Sequence, residues 1–295
     1  MITSLKNIFY NLHSHHKSEH TTLIAPKAKR RIIYRVFLYL PTVIKLQKLY
    51  KNYDLAFVLQ KDINHYNKAY YPLLNKNIDN SSKLKYLEEH FKTISTFKPV
   101  YKYLLYTQSI MLLDMSKYDI DVNLKIQYDH FSRHEGELTF YLEDRNTQHK
   151  IFKMTGLINS HQFYIGGVQG QTTKDVIRNL TKECFGMRPH NFLLYCLMEF
   201  VKVLGCKEVY GIKNIFHVSN ARKRTRGLIS FDYDKFWQEL NPIRETPFWY
   251  VLSSNYELRN LSEVKSNKRS MYKKRYNLLT DISSDLVKKT YLLFE

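Results

Sequence analysis

One stretch near the middle of the chain leaves the backbone little choice. Pro189 stands where a helix can open, because the N–H that proline lacks has no intrahelical partner in the first turn. Leu193, Cys196, Leu197, Phe200, Val201 and Leu204 follow at i, i+3, i+4, i+7, i+8 and i+11, a single apolar stripe on a helical period. Gly205 then supplies a C-terminal cap, and residues 208–212 read as a buried strand. With the apolar run at 163–168 before it, the segment reads strand, helix, turn, helix, strand.

What precedes this crossover is a sheet. Leu124, Ile126 and Tyr128 alternate with polar residues, Leu138, Phe140 and Leu142 do so again, and residues 151–158 and 163–168 are further apolar runs. Gly136 and residues 146–148 fall where turns are needed, so the spacing predicts four short strands in an antiparallel meander. Residues 27–115 favour helices, with Tyr86, Leu87, His90 and Phe91 at helical spacing after a cap at Asn80, Ser81 or Ser82. Short helices are expected at 234–240 and 261–280, and a strand at 247–252. The expected fold is α+β, a helical N-terminal region followed by a mixed, largely antiparallel sheet with flanking helices. Residues 1–26 read as a flexible tail, 27–118 as a mainly helical basic region and 119–295 as an α/β domain.

Charge adds a second constraint. The 295 residues carry 46 Lys and Arg against 27 Asp and Glu, a net charge of +19, with 15% aromatics. That aromatic content excludes a disordered or collagen-like chain. No run approaches the roughly 18 apolar residues of a membrane span, and the opening residues lack a secretory core, so the chain is expected in the cytoplasm. An AT-rich coding bias explains abundant lysine and tyrosine but should scatter the cations. They gather instead. Residues 20–53 hold Lys27, Lys29, Arg30, Arg31, Arg35, Lys45, Lys48 and Lys51 with no acid, residues 213–226 hold Lys213, Arg222, Lys223, Arg224 and Arg226, and residues 259–275 hold a third cluster. Such tracts point to an anionic partner.

Cys184, Cys196 and Cys206 form no C-x-x-C pair, which argues against a disulfide framework and a structural zinc site. His13, His15, His16 and His20 lie in the tail, where polar character is the ordinary reading. His130 and His134 have helical metal-site spacing but fall in a strand-and-turn segment, so no metal site is expected.

Several blocks in order resemble the VirK/YbjX family of bacterial proteins, also known as a domain of unknown function: EGEL at 135–138, IGGVQG at 165–170, TKECFGMRP at 181–189, KNIFHVSN at 213–220, DYDKFWQEL at 232–240 and KRSMYKKRY at 268–276. The resemblance covers residues 30–285. It implies a cytoplasmic or membrane-associated bacterial protein linked to virulence and to tolerance of cationic antimicrobial peptides, and it supplies no biochemical activity.

The layout is also similar to that of GNAT acyltransferases, in which a strand ends at a helix N-terminus whose N–H groups hold the pyrophosphate of acyl-CoA. The run of Gln or Arg, two residues, Gly, one residue, Gly or Ala found in that family is absent here, and a further helix intervenes. Candidate donor-binding residues are Gln169 and Gly170 at the strand end, Gly186 and Arg188 before the Pro189 helix, and Lys268, Arg269 and Tyr272 on one face of the late helix, where cations and rings could hold phosphate and a base or acyl chain. Gly186 and Pro189 also suit a plain helix–helix turn, and the late helix a solvated face. His217, just past the 208–212 strand, has the intrinsic pKa for proton transfer. Asp232 and Asp234 could hold an amine acceptor or orient His217; capping the next helix is their ordinary role.

Two functions follow from different classes. One is an acyl- or aminoacyl-transferase using acyl-CoA, acyl-carrier protein or aminoacyl-tRNA and acting on an envelope component. The other is a non-enzymatic scaffold resting Lys27, Arg30, Arg31 and Arg35 on the cytoplasmic face of the inner membrane. Nonspecific nucleic-acid binding ranks third, since no helix-turn-helix, zinc or RNP-like signature is present.

Overall fold

The alternating segments build the centre of the molecule. The computed structural model describes residues 26–170, 172–221 and 231–294. Strands β1 (Ile110–Asp114), β2 (Val122–Gln127), β3 (Leu138–Asp144), β4 (Lys150–Asn159) and β5 (Gln162–Gly170) pair antiparallel in chain order. β6 (Glu208–Ile212) lies parallel to β5 and antiparallel to β8 (Trp249–Ser253), and the short β7 (Arg244–Glu245) forms the far edge. The eight-stranded order is therefore β1-β2-β3-β4-β5-β6-β8-β7. This is the expected α+β architecture, and the four-stranded meander lies within it as β2 to β5.

Helices cover both faces. α1 (Pro26–Leu38), α2 (Leu40–Asn52), α3 (Ala56–Lys61), α4 (Asn80–Ser95) and α5 (Pro99–Thr107) precede the sheet. α6 (Lys174–Glu183) and α7 (Pro189–Val203) form the β5–β6 crossover, α8 (Tyr233–Gln238) follows β6, and α9 (Ser266–Tyr291) closes the fold. Successive strand residues point to opposite faces. Phe140 of β3 meets Phe200 of α7 edge-on at 4.7 Å, while Glu137, one position before β3, faces the N-terminal region and pairs with Lys68 at 3.1 Å. Because both faces are covered, β3 and β4 are buried along almost their whole length. One continuous apolar core runs from Val36 to Leu293.

The crossover matches its sequence pattern closely. Every residue of α7 from Phe192 to Val201 is buried, and Gly205 takes a left-handed φ of +80°. Elsewhere the structure corrects local expectations. Residues 110–114 form β1, because pairing with β2 decides the conformation of a run too short to show a period. The cap of α4 is Asp79, one residue earlier than expected, accepting from the N–H groups of Ser81 and Ser82 at 2.8 and 2.9 Å. The late helix starts at Ser266 and runs to Tyr291, preceded by a separate 3-10 turn at Leu261–Glu263.

Candidate functional site

The parallel pair does not stay together. β5 and β6 are in register from Gln162/Glu208 to Ile165/Gly211, after which β5 runs on to Gly170 paired with β4 but no longer with β6. Gly166 is the extra residue of a bulge against β4, where the register slips between Thr155/Gly167 and Gly156/Ile165. Glycine is required here by close approach: a Cβ on Gly166 would overlap the backbone carbonyl of Glu135, and one on Gly167 would overlap the Glu135 carboxylate. Where β6 has left, the hydroxyl of Tyr233 takes over as partner of β5, accepting from Val168 N–H at 2.9 Å and donating to Val168 C=O at 3.2 Å.

Three buried side chains, Glu135, His217 and Tyr233, converge on this split, with half-buried Gln169 beside them. The amide of Gln169 donates to both oxygens of Glu135, at 2.8 and 2.9 Å. Nε2 of His217 lies 3.5 Å from the same carboxylate and 3.3 Å from the Tyr233 hydroxyl. The N–H of Ser219 donates to Nδ1 of His217 at 3.2 Å, which leaves the proton of the neutral ring on Nε2, facing Glu135. His217 is 3% exposed and Glu135 7%. Burial, reinforced by the Glu135 charge, pushes the Tyr233 phenol far above its ordinary range, so it acts as a neutral donor.

Asp232 and Asp234 hold the loop that carries His217. Asp232 caps α8 through Lys235 N–H at 3.1 Å and accepts from the Asn214 amide at 3.0 Å; Asp234 accepts from Asn214 N–H at 3.0 Å. Asn214 in turn accepts from Tyr233 N–H at 2.9 Å. Both aspartates act on His217 through Asn214. A cavity of about 110 Å³ opens beside the dyad, and its wall includes Phe131, His134, Glu135 and Ser219. At about 30 Å³ per water molecule, it suits a small head group rather than an acyl chain.

The donor-binding candidates divide between two places. Gln169 is at the site, with its amide on Glu135, and Gly170 leaves room for the Phe152 ring. Gly186 closes α6 with φ +78°, its N–H reaching Thr181 C=O at 2.7 Å, and Arg275 of α9 donates to Phe185 C=O at 2.7 Å beside it. Arg188 and Lys268 are exposed. Arg269 donates to Val264 C=O at 2.9 Å, and Tyr272 carries Arg275 over its ring at 4.2 Å.

The remaining candidates are quickly placed. All three thiols are buried; burial pushes Cys184 and Cys206 up to about 12 and raises Cys196 well above the ordinary thiol range, which disfavours a thiolate. Among the described residues no group of three or more His, Cys, Asp or Glu is placed to hold a metal ion. Of the cations expected to meet a membrane, Arg30 is exposed, and Arg35 lies over Tyr70 and Tyr71 at 5.0 and 5.1 Å. The side chains of Lys27 and Arg31, the tail histidines and the cations at 222–226 lie outside the described residues.

Four sequence blocks thus meet at one place: 135–138 through Glu135, 165–170 through its glycines and Gln169, 213–220 through His217 and Ser219, and 232–240 through Tyr233. The other two meet each other where Arg275 holds the turn at Phe185. Sequence reasoning points to His217 but not to Glu135; the unusual pair Gly166-Gly167 is the signal that something must approach β5 closely.

The fold and site define an α+β protein with a buried carboxylate–imidazole pair at the split of a parallel strand pair. By sequence, residues 23–288 match the family described as "Protein of unknown function (DUF535)", which is the VirK/YbjX family, and the chain belongs to it. It is 23% identical over 232 residues, 73% of its length and 68% of the relative's, to "Uncharacterized protein YbjX" of Escherichia coli (strain K12). An "Uncharacterized protein" of Haemophilus influenzae is 27% identical over 188 residues, 62% of each chain, so the match spans under two thirds of that relative. A second H. influenzae "Uncharacterized protein" is 30% identical over 128 residues, 42% of each chain. No solved structure matches.

Proposed function

We propose that the protein is a group transferase that moves an acyl or aminoacyl unit from a phosphate-bearing carrier to a small amine or hydroxyl head group, with Glu135 as the proton acceptor. The observation that carries this reading is the meeting of four separate sequence blocks on one buried Glu135–His217 pair beside a cavity. Sequence alone points to His217 as the base. Its Nδ1 already accepts from Ser219 and its Nε2 faces Glu135, so the ring is better suited to orient the carboxylate of Glu135, a residue that lines the cavity.

In the reaction, the acceptor nitrogen or oxygen bonds to the acyl carbon while the bond from that carbon to the carrier breaks. The acceptor's proton passes to Glu135 and from there to the departing carrier. Acyl-CoA, acyl-carrier protein and aminoacyl-tRNA are the candidate donors, with exposed Arg188 and Lys268 suited to their phosphates. Transfer to an envelope amphiphile would change surface charge, which would connect the activity with tolerance of cationic peptides. Release of free carrier is the measurement. Glu135→Gln should reduce it at least 100-fold with an unchanged thermal midpoint, in line with the usual contribution of a general base. Failure of all three carriers to bind in titration calorimetry would refute the transferase.

A further inference from the structure

The surface of α1 and α2 is unusual for an element that also contributes to the core. Val36 of α1 and Val43, Leu46 and Tyr50 of α2 are buried. On the outer side, Arg30, Tyr34, Phe37 and Leu38 follow at i, i+4, i+7 and i+8, so they share one helix face. Tyr34 is 64% exposed, Phe37 52% and Leu38 59%. Along α2 the exposed side chains include Lys45, Lys48 and Lys51. No carboxylate occurs anywhere between residues 26 and 53. Exposed apolar groups such as Tyr34 and Leu38 beside cations with no carboxylate nearby in sequence are the chemistry of an interfacial helix that seats in the headgroup region of an anionic bilayer.

The same surface leads to the candidate site. Arg35 of α1 hydrogen-bonds the Tyr71 hydroxyl and lies over that ring, Tyr71 meets His134 edge-on at 5.0 Å, and His134 lines the cavity beside Glu135. Phe131, on the same cavity wall, is 85% exposed, the most exposed large apolar residue among the described residues. We infer that α1 and α2 dock the protein on an anionic lipid surface with the mouth of the cavity at headgroup level, so that the acceptor is the polar head of a membrane amphiphile. The docking stands on its own; the identity of the acceptor rests on the transferase reading.

Nucleic acid would satisfy the cations but gives no reason to expose Leu38 beside Tyr34, and charge complementarity with an acidic protein leaves the same residues unexplained. A lipid surface accounts for both groups.

The test is flotation of the full-length protein with phosphatidylglycerol-containing and with pure phosphatidylcholine vesicles. Strong binding to the first and weak binding to the second is expected. Tyr34→Ser combined with Leu38→Ser should weaken binding at least tenfold, and Arg30→Glu with Lys45→Glu and Lys48→Glu should abolish it, each with the thermal midpoint of the parent. Phe131→Ser should weaken it a few-fold if the cavity mouth meets the lipid. Equal or negligible binding to both vesicle types would overturn the docking, as would binding lost only with the charge variants and matched by binding to RNA. Flotation seen only after removal of residues 1–25 would assign the face to the chain's own N-terminal segment and also overturn it. Docking that is indifferent to Phe131→Ser would overturn the headgroup acceptor alone. Carrier release measured without lipid tests the transferase separately.

Discussion

Asp129 shows how single side chains fix the loop on which Glu135 is presented. Its carboxylate accepts from Phe131 N–H at 3.1 Å and forms a buried ion pair with Lys153 at 2.8 Å. Burial opposes the charged form, but the Lys153 bond and charge, together with Lys150 and the Phe131 N–H, outweigh it and hold the carboxyl below its usual range. A depressed carboxyl stabilises the fold above the unfolded pKa, about 4, and that contribution disappears as pH falls through the lower folded value. Asp129→Asn should therefore flatten the acid side of a stability-versus-pH curve from urea titrations. It should also cost about 3–5 kcal/mol at neutral pH, the usual result of stranding one partner of a buried pair. None of this was legible in sequence. Asp129 and Lys153 are 24 residues apart, and nothing local marks either as a partner. The same holds for Glu135, whose role depends on two glycines on a strand a full hairpin away.

Among the elements, those whose own residues carry the period were readable. α7 shows its stripe, and β2 to β5 show their alternation or their apolar runs. β1 and the cap of α4 depend on a neighbouring strand and on one carboxylate, so pattern alone misplaced them. Two glycines around β6 illustrate how element context sets the cost of one methyl group. Gly205 has φ +80° but open space, its nearest foreign atom being His161 Nδ1 at 3.8 Å. Gly211 sits against the indole of Trp237, where a Cβ would overlap the ring. Gly205→Ala should cost about 1–2 kcal/mol from backbone strain alone. Gly211→Ala, an overpacking change of roughly 1–3 kcal/mol, should in addition displace Trp237 from its 2.9 Å bond to Ile212 C=O. Tryptophan emission separates the two: it should shift only in the second variant, and an identical shift in both would contradict this account.

Across the whole molecule, the N-terminal helices and the sheet share polar as well as apolar contacts. Lys68 and Glu137 are 2% and 0% exposed, and the hydroxyls of Tyr50 and Tyr128 belong to the same buried cluster through His65 and Lys68. Burial pushes the Glu137 carboxyl up and the Lys68 ammonium down, each opposed by the charge of the other. Such a pair ties one orientation of the helices to the sheet more than it adds stability. Lys68→Met should destabilise by about 3–5 kcal/mol, and adding Glu137→Met should restore much of that loss. Chemical denaturation of the two variants checks this; no recovery in the double variant would mean that the pair is itself strongly stabilising. The clustering of cations along the chain could be read from the sequence, whereas this internal ionic joint could not, because its partners come from the two regions that composition separates.

The hydroxyl of Tyr233 has a consequence in time as well as in space. It holds the amide hydrogen of Val168 at a point where β5 has lost β6, so that hydrogen can reach water only when α8 lifts away. Its exchange with deuterium should therefore be slow in the parent and much faster in Tyr233→Phe, while the amides of Tyr164 and Ile165 keep their protection. A single slow amide would then act as a clock for the opening of the wall behind His217, readable before any substrate is known.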